Sequence, residues 1–264
     1  MSEPAASIRI IYTACPLCGS ADIAEYKKAD PRGHKLYHPI LGTSMIWNRC
    51  DACMHIFTEG YFTPEAEQAI FSKTHDNQTV AHDIEQQRYV SARMVDRVTP
   101  FVNSGHWLDV GFGNASLLFT AHEYGFIPVG TDLRQANIKA LQDWGIEAHC
   151  KTLDQLDHTG RYSVISMADV LEHIPFPGEG LKHVHRLLND QGVVLISMPN
   201  IDSIMWQHMD KIKLNPYWRE IEHYHNFGRT RLYALLQECG FEPVRYGVSE
   251  RYRACMEIIA RKKV

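Results

Sequence analysis

The sequence predicts an α/β protein: a mostly parallel sheet with helices on both faces, preceded by a small cysteine-organised unit. Three observations carry this. From residue 105 to 198, short apolar runs alternate with amphipathic stretches, the pattern of strand and helix in a parallel sheet. The last two apolar runs, 242–248 and 253–261, are joined by a turn too short for a crossover, so they pair antiparallel. Ahead of both stand two Cys-x-x-Cys knuckles, Cys15 and Cys18 in CPLCG and Cys50 and Cys53 in CDAC.

Four thiolates match the number and softness of a structural, tetrahedral zinc site, which leaves no open position for catalysis. Residues 1–58 therefore read as a zinc ribbon, with short strands in the loop between the knuckles. So small a segment buries too little apolar surface to fold unaided. Cys150, Cys239 and Cys255 fall in strands or an amphipathic helix and read as core. A helical connector occupies 59–104, with Pro64 at a first helical position, a helix over 64–72 and a longer one over 80–100. The 105–264 domain follows, with strands at 106–110, 126–131, 146–150, 162–168 and 192–198 and helices at 115–124, 134–144, 180–189 and 229–239.

The densest signal lies in WLDVGFGNASLLFTAHEYGFIPVGTD, residues 107–132. Asp109 ends a buried strand two positions before Gly111-x-Gly113, where glycine lets the backbone turn tightly beside a ligand, and Asp132 closes the next strand. A dinucleotide turn would carry a third glycine where Ser116 stands, and a pyrophosphate would be repelled by Asp109. The amino group of S-adenosylmethionine would be attracted, and Asp132 could accept both ribose hydroxyls. A tight turn with no ligand is the other reading of the glycines alone. Asp109, Asp132, the 150–154 segment, Ala168 to His173 and Pro199 all fall at carboxyl ends of strands, where open parallel sheets bind ligands.

YSVISMADVLEHIP at 162–175, GVVLISMPN at 192–200 and EHYHNFGRTRLYALLQECGF at 222–241 extend the pattern. From about residue 80 onward the chain resembles the class I S-adenosylmethionine-dependent methyltransferases, and its 222–241 segment is similar to a subgroup acting on sugars and other small acceptors. The resemblance implies a Rossmann-like sheet of seven strands with an antiparallel last strand. It also implies cofactor contacts from Asp109, Gly111, Gly113, Asp132, Leu133, Thr152, Leu153, Ala168, Asp169 and His173. Thr152 reads equally as the N-cap of a short helix. Ala115 replaces a glycine usual in the family's turn, and Glu220 stands where some sugar C-methylating relatives have tyrosine, which moves the expectation toward O-methylation.

Methyl transfer from a sulfonium requires alignment of the acceptor and, for a hydroxyl, removal of a proton. His223 is the preferred base, with Glu222 to orient it and His225 as the alternative imidazole. Trp206, Tyr217, Trp218 and Tyr224 read either as an acceptor wall or as packing. The expected function is methylation of a small hydroxylated acceptor: a sugar, nucleotide-sugar, polysaccharide unit or natural-product intermediate. An RNA methyltransferase with a ribbon as substrate module, and a non-catalytic zinc-dependent interaction protein, are the alternatives. A net charge of −4 and the lack of a basic cluster argue against nucleic acid and membrane surfaces as partners. With neither a secretory leader pattern nor a long apolar run, the chain is expected in the cytoplasm.

Overall fold

The structure, a computed structural model, describes residues 8–71, 78–252 and 254–263. Residues 72 and 253, expected at the ends of a helix and a strand, lie outside the described residues. Parallel strands β6 (His106–Val110), β7 (Ile127–Thr131), β8 (Glu147–His149), β9 (Tyr162–Ala168) and β10 (Leu188–Pro199) are joined by β12 (Phe241–Val248) and β13 (Cys255–Lys262). Their order is β12-β13-β10-β9-β6-β7-β8, with β13 antiparallel to both neighbours. This is the seven-stranded mixed sheet expected, and chain order reverses between β6 and β9, the point where such sheets open a ligand crevice.

Strand periodicity explains the two cores. Leu108, Ile165, Ile196 and Ile258 face one layer, with Leu181 and Val184 of α5 (Pro177–Leu187) and Leu232 and Leu235 of α7 (Arg229–Glu238). Their chain neighbours Trp107, Val164, Leu195 and Ile259 face the other, with Leu118 of α3 (Ser116–Glu123) and Leu141 of α4 (Gln135–Asp143). Each such fully buried side chain contributes about 1.5–3 kcal/mol. Met94, Val95 and Val98 of α2 (Ile84–Val98) pack into this second core, so the later part of the 59–104 segment covers the sheet. Across the sheet edge, Arg97 of α2 pairs with the buried Glu257 of β13.

At the N-terminal end, β2 (Ile23–Ala29), β3 (Met45–Cys50) and β4 (Ile56–Thr58) form an antiparallel sheet, and β1 (Arg9–Ile11) pairs with β5 (Gly60–Phe62). Between the knuckles, β2 and β3 flank two single 3-10 turns, 31–33 and 39–41, each with proline first, which pre-sets their φ. Helix α1 (Pro64–Phe71) begins at Pro64 as expected. A short strand from the far end of the chain, β11 (His225–Asn226), completes the sheet on β4. Helix α6 (Ile204–Lys211), which the sequence reading did not anticipate, is N-capped by the Ser203 hydroxyl. Among the described residues, no helix is long and apolar enough to cross a membrane.

Candidate active site

Asp109 leaves β6 beside Ser166 of β9, its partner in register, and Ser166 Oγ donates to Asp109 Oδ1 at 2.6 Å. Trp107 Nε1 donates in turn to Ser166 Oγ at 2.8 Å. Burial pushes the Asp109 carboxyl up to about 7, against the opposing pull of Ser166 and Arg251. A buried carboxyl poised near neutrality, at the sheet edge, is suited to a cationic ligand group.

The turn after it is built on positive φ. Gly111 has φ +62°, its N–H bonds Thr131 O at 2.7 Å, and a Cβ there would meet Val170 Cγ2 at 3.0 Å. Gly113 has φ +53° and Ala115 φ +60°. The alanine that replaces the family's glycine thus occupies a left-handed conformation, a strain of about 1–2 kcal/mol for a residue with Cβ. Its methyl group is fully buried in the second core, which offsets part of that cost.

Asp132, at the end of β7, is buried and forked by Arg134: Nη2 to Oδ2 at 2.6 Å and Nε to Oδ1 at 2.8 Å. Arg134 also reaches Gln78 Oε1 at 2.6 Å. A ribose at this edge would share the carboxylate with Arg134. Leu133 next to it is 63 % exposed, an apolar side chain standing free at the cleft. Thr152 begins a 3-10 turn and its N–H bonds Gln155 Oε1 at 3.1 Å, while Leu153 is buried in the core. The pair is thus a helix cap and a core anchor in its local structure.

Ala168 ends β9, and Asp169 follows at φ +58° with its N–H on Ser197 O at 2.7 Å. Its carboxylate lies 3.3 Å from Arg251 Nη2, from the turn between β12 and β13. Arg251 is a residue the sequence reading missed. A lone arginine in SERYRAC gives no motif, and only the fold brings it to Asp169, within electrostatic reach of Asp109.

A second cluster is assembled from 171–175 and 220–225. His173 Nδ1 lies 2.9 Å from the Glu222 carbonyl, and the rings of His173 and His223 meet edge-on at 4.8 Å. Burial pushes His173 down to about 4 and His223 down to about 3, while burial and Glu220 push Glu222 up to about 7. Glu220 is held below its ordinary value by His34 although burial acts in the other direction. Glu172 is fully buried, and neither of its carboxylate oxygens has a hydrogen-bond partner among the described residues; the same holds for His223 Nδ1.

His225 is not brought to this cluster. Its Nε2 donates to Ile174 O at 3.0 Å and its Nδ1 lies 3.0 Å from His55 Nε2, so it ties β11 to the N-terminal sheet. Nor do the four aromatics form one wall. Trp206 stacks on Tyr217 and meets Trp218 edge-on, and Trp47 closes the group as buried packing against the N-terminal unit. Tyr224 packs elsewhere, on Phe62.

The four knuckle cysteines do converge. Cys15 and Cys53 Sγ are 3.7 Å apart, Cys18 and Cys50 Sγ 3.6 Å, and all four sulfurs lie within 4.8 Å of one another. Sulfurs at about 2.3 Å from a tetrahedral zinc stand roughly 3.8 Å apart, so the donor set fits the ion.

The family model described as "Methyltransferase domain" matches residues 84–246, more than half of the chain. Among curated proteins, the chain is 27% identical over 99 residues to the ubiquinone biosynthesis O-methyltransferase of Bradyrhizobium diazoefficiens, covering 35% of this chain and 39% of that protein. It is 37% identical over 62 residues to the mitochondrial ubiquinone biosynthesis O-methyltransferase of Saccharomyces cerevisiae, covering 23% of this chain and 19% of that one. The chain thus spans well under half the length of these relatives. Among solved structures, the 1,6-didemethyltoxoflavin-N1-methyltransferase of Burkholderia thailandensis superposes with TM-score 0.58 at 21% identity, over 80% of this chain and 96% of that one. The magnesium protoporphyrin IX methyltransferase of Synechocystis gives TM-score 0.54 at 18% identity, over 68% and 84% of the two chains. Both share its fold. The strand-end site at Asp109 lies inside the matched span, and the chain belongs to the methyltransferase-domain family.

Proposed function

We propose that the chain transfers a methyl group from S-adenosylmethionine to a hydroxyl of a small acceptor such as a sugar, a nucleotide-linked sugar, a polysaccharide unit or a natural-product intermediate. The observation that carries this reading is Asp109, buried beside a positive-φ turn at the switch point of the sheet, with Asp132 one strand away. When bound, S-adenosylmethionine supplies a methyl group activated by its sulfonium. Asp109 would face the cofactor's amino group and Asp132 its ribose, with Leu133, Thr152 and Leu153 toward the base and Ala168, Asp169 and His173 along the cleft.

Across the cleft, Glu222 and His223 orient the acceptor hydroxyl and take up its proton, with His173 beside them. The hydroxyl, rather than a carbon, is favoured because Glu220 is committed to His34 and offers no phenol at that position. The names of the two curated relatives, both O-methyltransferases, support the same choice. His225 serves the wall of the site, and Cys15, Cys18, Cys50 and Cys53 would hold a structural zinc that keeps the N-terminal sheet folded. Incubation with methyl-labelled S-adenosylmethionine and a panel of hydroxylated small molecules tests the reading. Label should pass to an oxygen of a small acceptor; label passing only to RNA or protein, or to nothing, overturns it.

A further inference from the structure

Away from the cofactor cleft and the cysteine unit, another group of ligand-type side chains converges at the outer edge of the large sheet. Glu147 and His149 stand two residues apart on β8, the last strand of that sheet, and so project from the same face. His158 comes from the turn that leads into β9. Each of the three offers one donor atom, and these atoms all lie within 4.8 Å of one another.

Local contacts hold the group in place. His149 Nε2 lies 2.8 Å from Glu147 Oε1, and the rings of His149 and His158 are 6.0 Å apart. Arg161 clips the turn to the strand: its Nη1 donates to Glu147 Oε1 at 2.8 Å and its Nη2 to Oε2 at 2.5 Å, while its backbone N–H bonds His158 O at 3.3 Å. On the strand side, His149 O accepts from the Asp132 N–H at 3.2 Å and from Thr131 Oγ1 at 3.1 Å. The fork to Arg161 does not block the carboxylate, because its two oxygens present about four lone-pair sites and the guanidinium takes one on each. A group bonded to a ligating carboxylate from outside is the ordinary support of a metal ligand. The His158 imidazole has no hydrogen-bond partner among the described residues, so its ring is left with a free donor nitrogen beside the other two groups.

We propose that Glu147, His149 and His158 bind a divalent cation of the zinc type at the β8 edge, separate from the four-cysteine site. Two imidazoles and one carboxylate suit zinc, cobalt, nickel or copper rather than magnesium or calcium, and the solvent side leaves a fourth position for water. The cation takes the place of the hydrogen between His149 Nε2 and Glu147 Oε1, and the ring carries its one hydrogen on Nδ1. Ligands at about 2.1 Å from a tetrahedral ion stand roughly 3–3.5 Å apart, so His149 and Glu147 open slightly and His158 closes by rotation about its side-chain torsions. Bound there, the ion joins β8 to the turn before β9 and braces the strand ends at Thr131 and Asp132 through the His149 carbonyl. The site does not depend on the methyl-transfer reading.

Zinc itself is the probe, because it cannot confuse the count by displacing a different ion from the cysteines. It is titrated by calorimetry into the full chain whose four-cysteine site is already filled. A second equivalent per chain is expected, weakened roughly tenfold or more in His149→Gln and in His158→Gln. The second equivalent should also raise the melting temperature of the unaltered chain and not that of the variants. His158→Gln removes a ring without a hydrogen-bond partner, so it alters the site and leaves the fold intact. Absence of a second equivalent, or undiminished binding in either variant, overturns the proposal; the latter would place the ion on other histidines.

Discussion

His34 Nε2 lies 2.5 Å from Glu220 Oε1, joining a turn of the N-terminal unit to the start of the segment that carries Glu222 and His223. The contact is one of several along that segment. Ile221 packs with Leu36 and Phe62, the Thr58 N–H bonds Tyr224 O at 2.9 Å, and β11 pairs with β4. The cysteine unit therefore forms the frame on which the 220–226 segment is held.

Removing this contact should act on the acceptor and spare the cofactor. His34→Ala leaves Glu220 without its partner in a mostly buried setting, and loss of one charged hydrogen bond is worth about 1.5–3 kcal/mol. We expect kcat/KM for the acceptor to fall roughly 10- to 100-fold, with S-adenosylmethionine affinity unchanged by calorimetry. Equal losses for both ligands would show that the contact serves the whole fold.

Zinc removal should have the same polarity on a larger scale. Chelation is expected to unfold β2 to β4 and release β11 and the 220–225 segment, abolishing turnover while the β6 to β10 sheet retains cofactor binding. Metal analysis should give one zinc at the cysteine site, and Cys50→Ser should reproduce the effect of chelation. A metal-free protein with an unaltered melting transition would refute the assignment.

The Asp109 carboxyl sets a pH dependence. Its folded value, about 7, is above the roughly 3.9 of an unfolded aspartate, so the native state holds an extra proton between these values. The stability it contributes is fully present below about pH 4 and is lost as pH rises through 7. Cofactor attraction needs the ionised form and moves oppositely: calorimetry from about pH 5.5 to about pH 8.5 should show affinity rising, and Asp109→Asn should flatten the profile.

At the turn, Gly111→Ala should destabilise the protein. A Cβ at φ +62° and 3.0 Å from Val170 Cγ2 costs about 1–2 kcal/mol in backbone strain before any displacement of Val170. A melting temperature lowered by several degrees is expected, and an unchanged one would contradict the local geometry.

What the sequence disclosed was local. The strand ending at Asp109, the glycines after it and the antiparallel pair β12 and β13 each depend on residues within a short window, where periodicity and turn chemistry are readable. Contacts made by distant segments were not. The β11 to β4 pairing joins residues near 225 to residues near 57, and Arg251 meets Asp169 only through the sheet order. His223 and His225 illustrate the limit: two residues apart in one motif, one faces His173 and the other is bound to His55 and Ile174. His223 lies in the turn that precedes β11 and His225 lies within it, and the bend between them is set by the tertiary pairing of β11 with β4.

Calorimetric titration of the zinc-loaded chain with S-adenosylmethionine probes the proposed cofactor cleft between Asp109 and Asp132. Binding at one site is expected, weakened by about 2 kcal/mol, roughly 30-fold, in Asp132→Ala. No binding by the unaltered chain, or the same affinity in the variant, would contradict it.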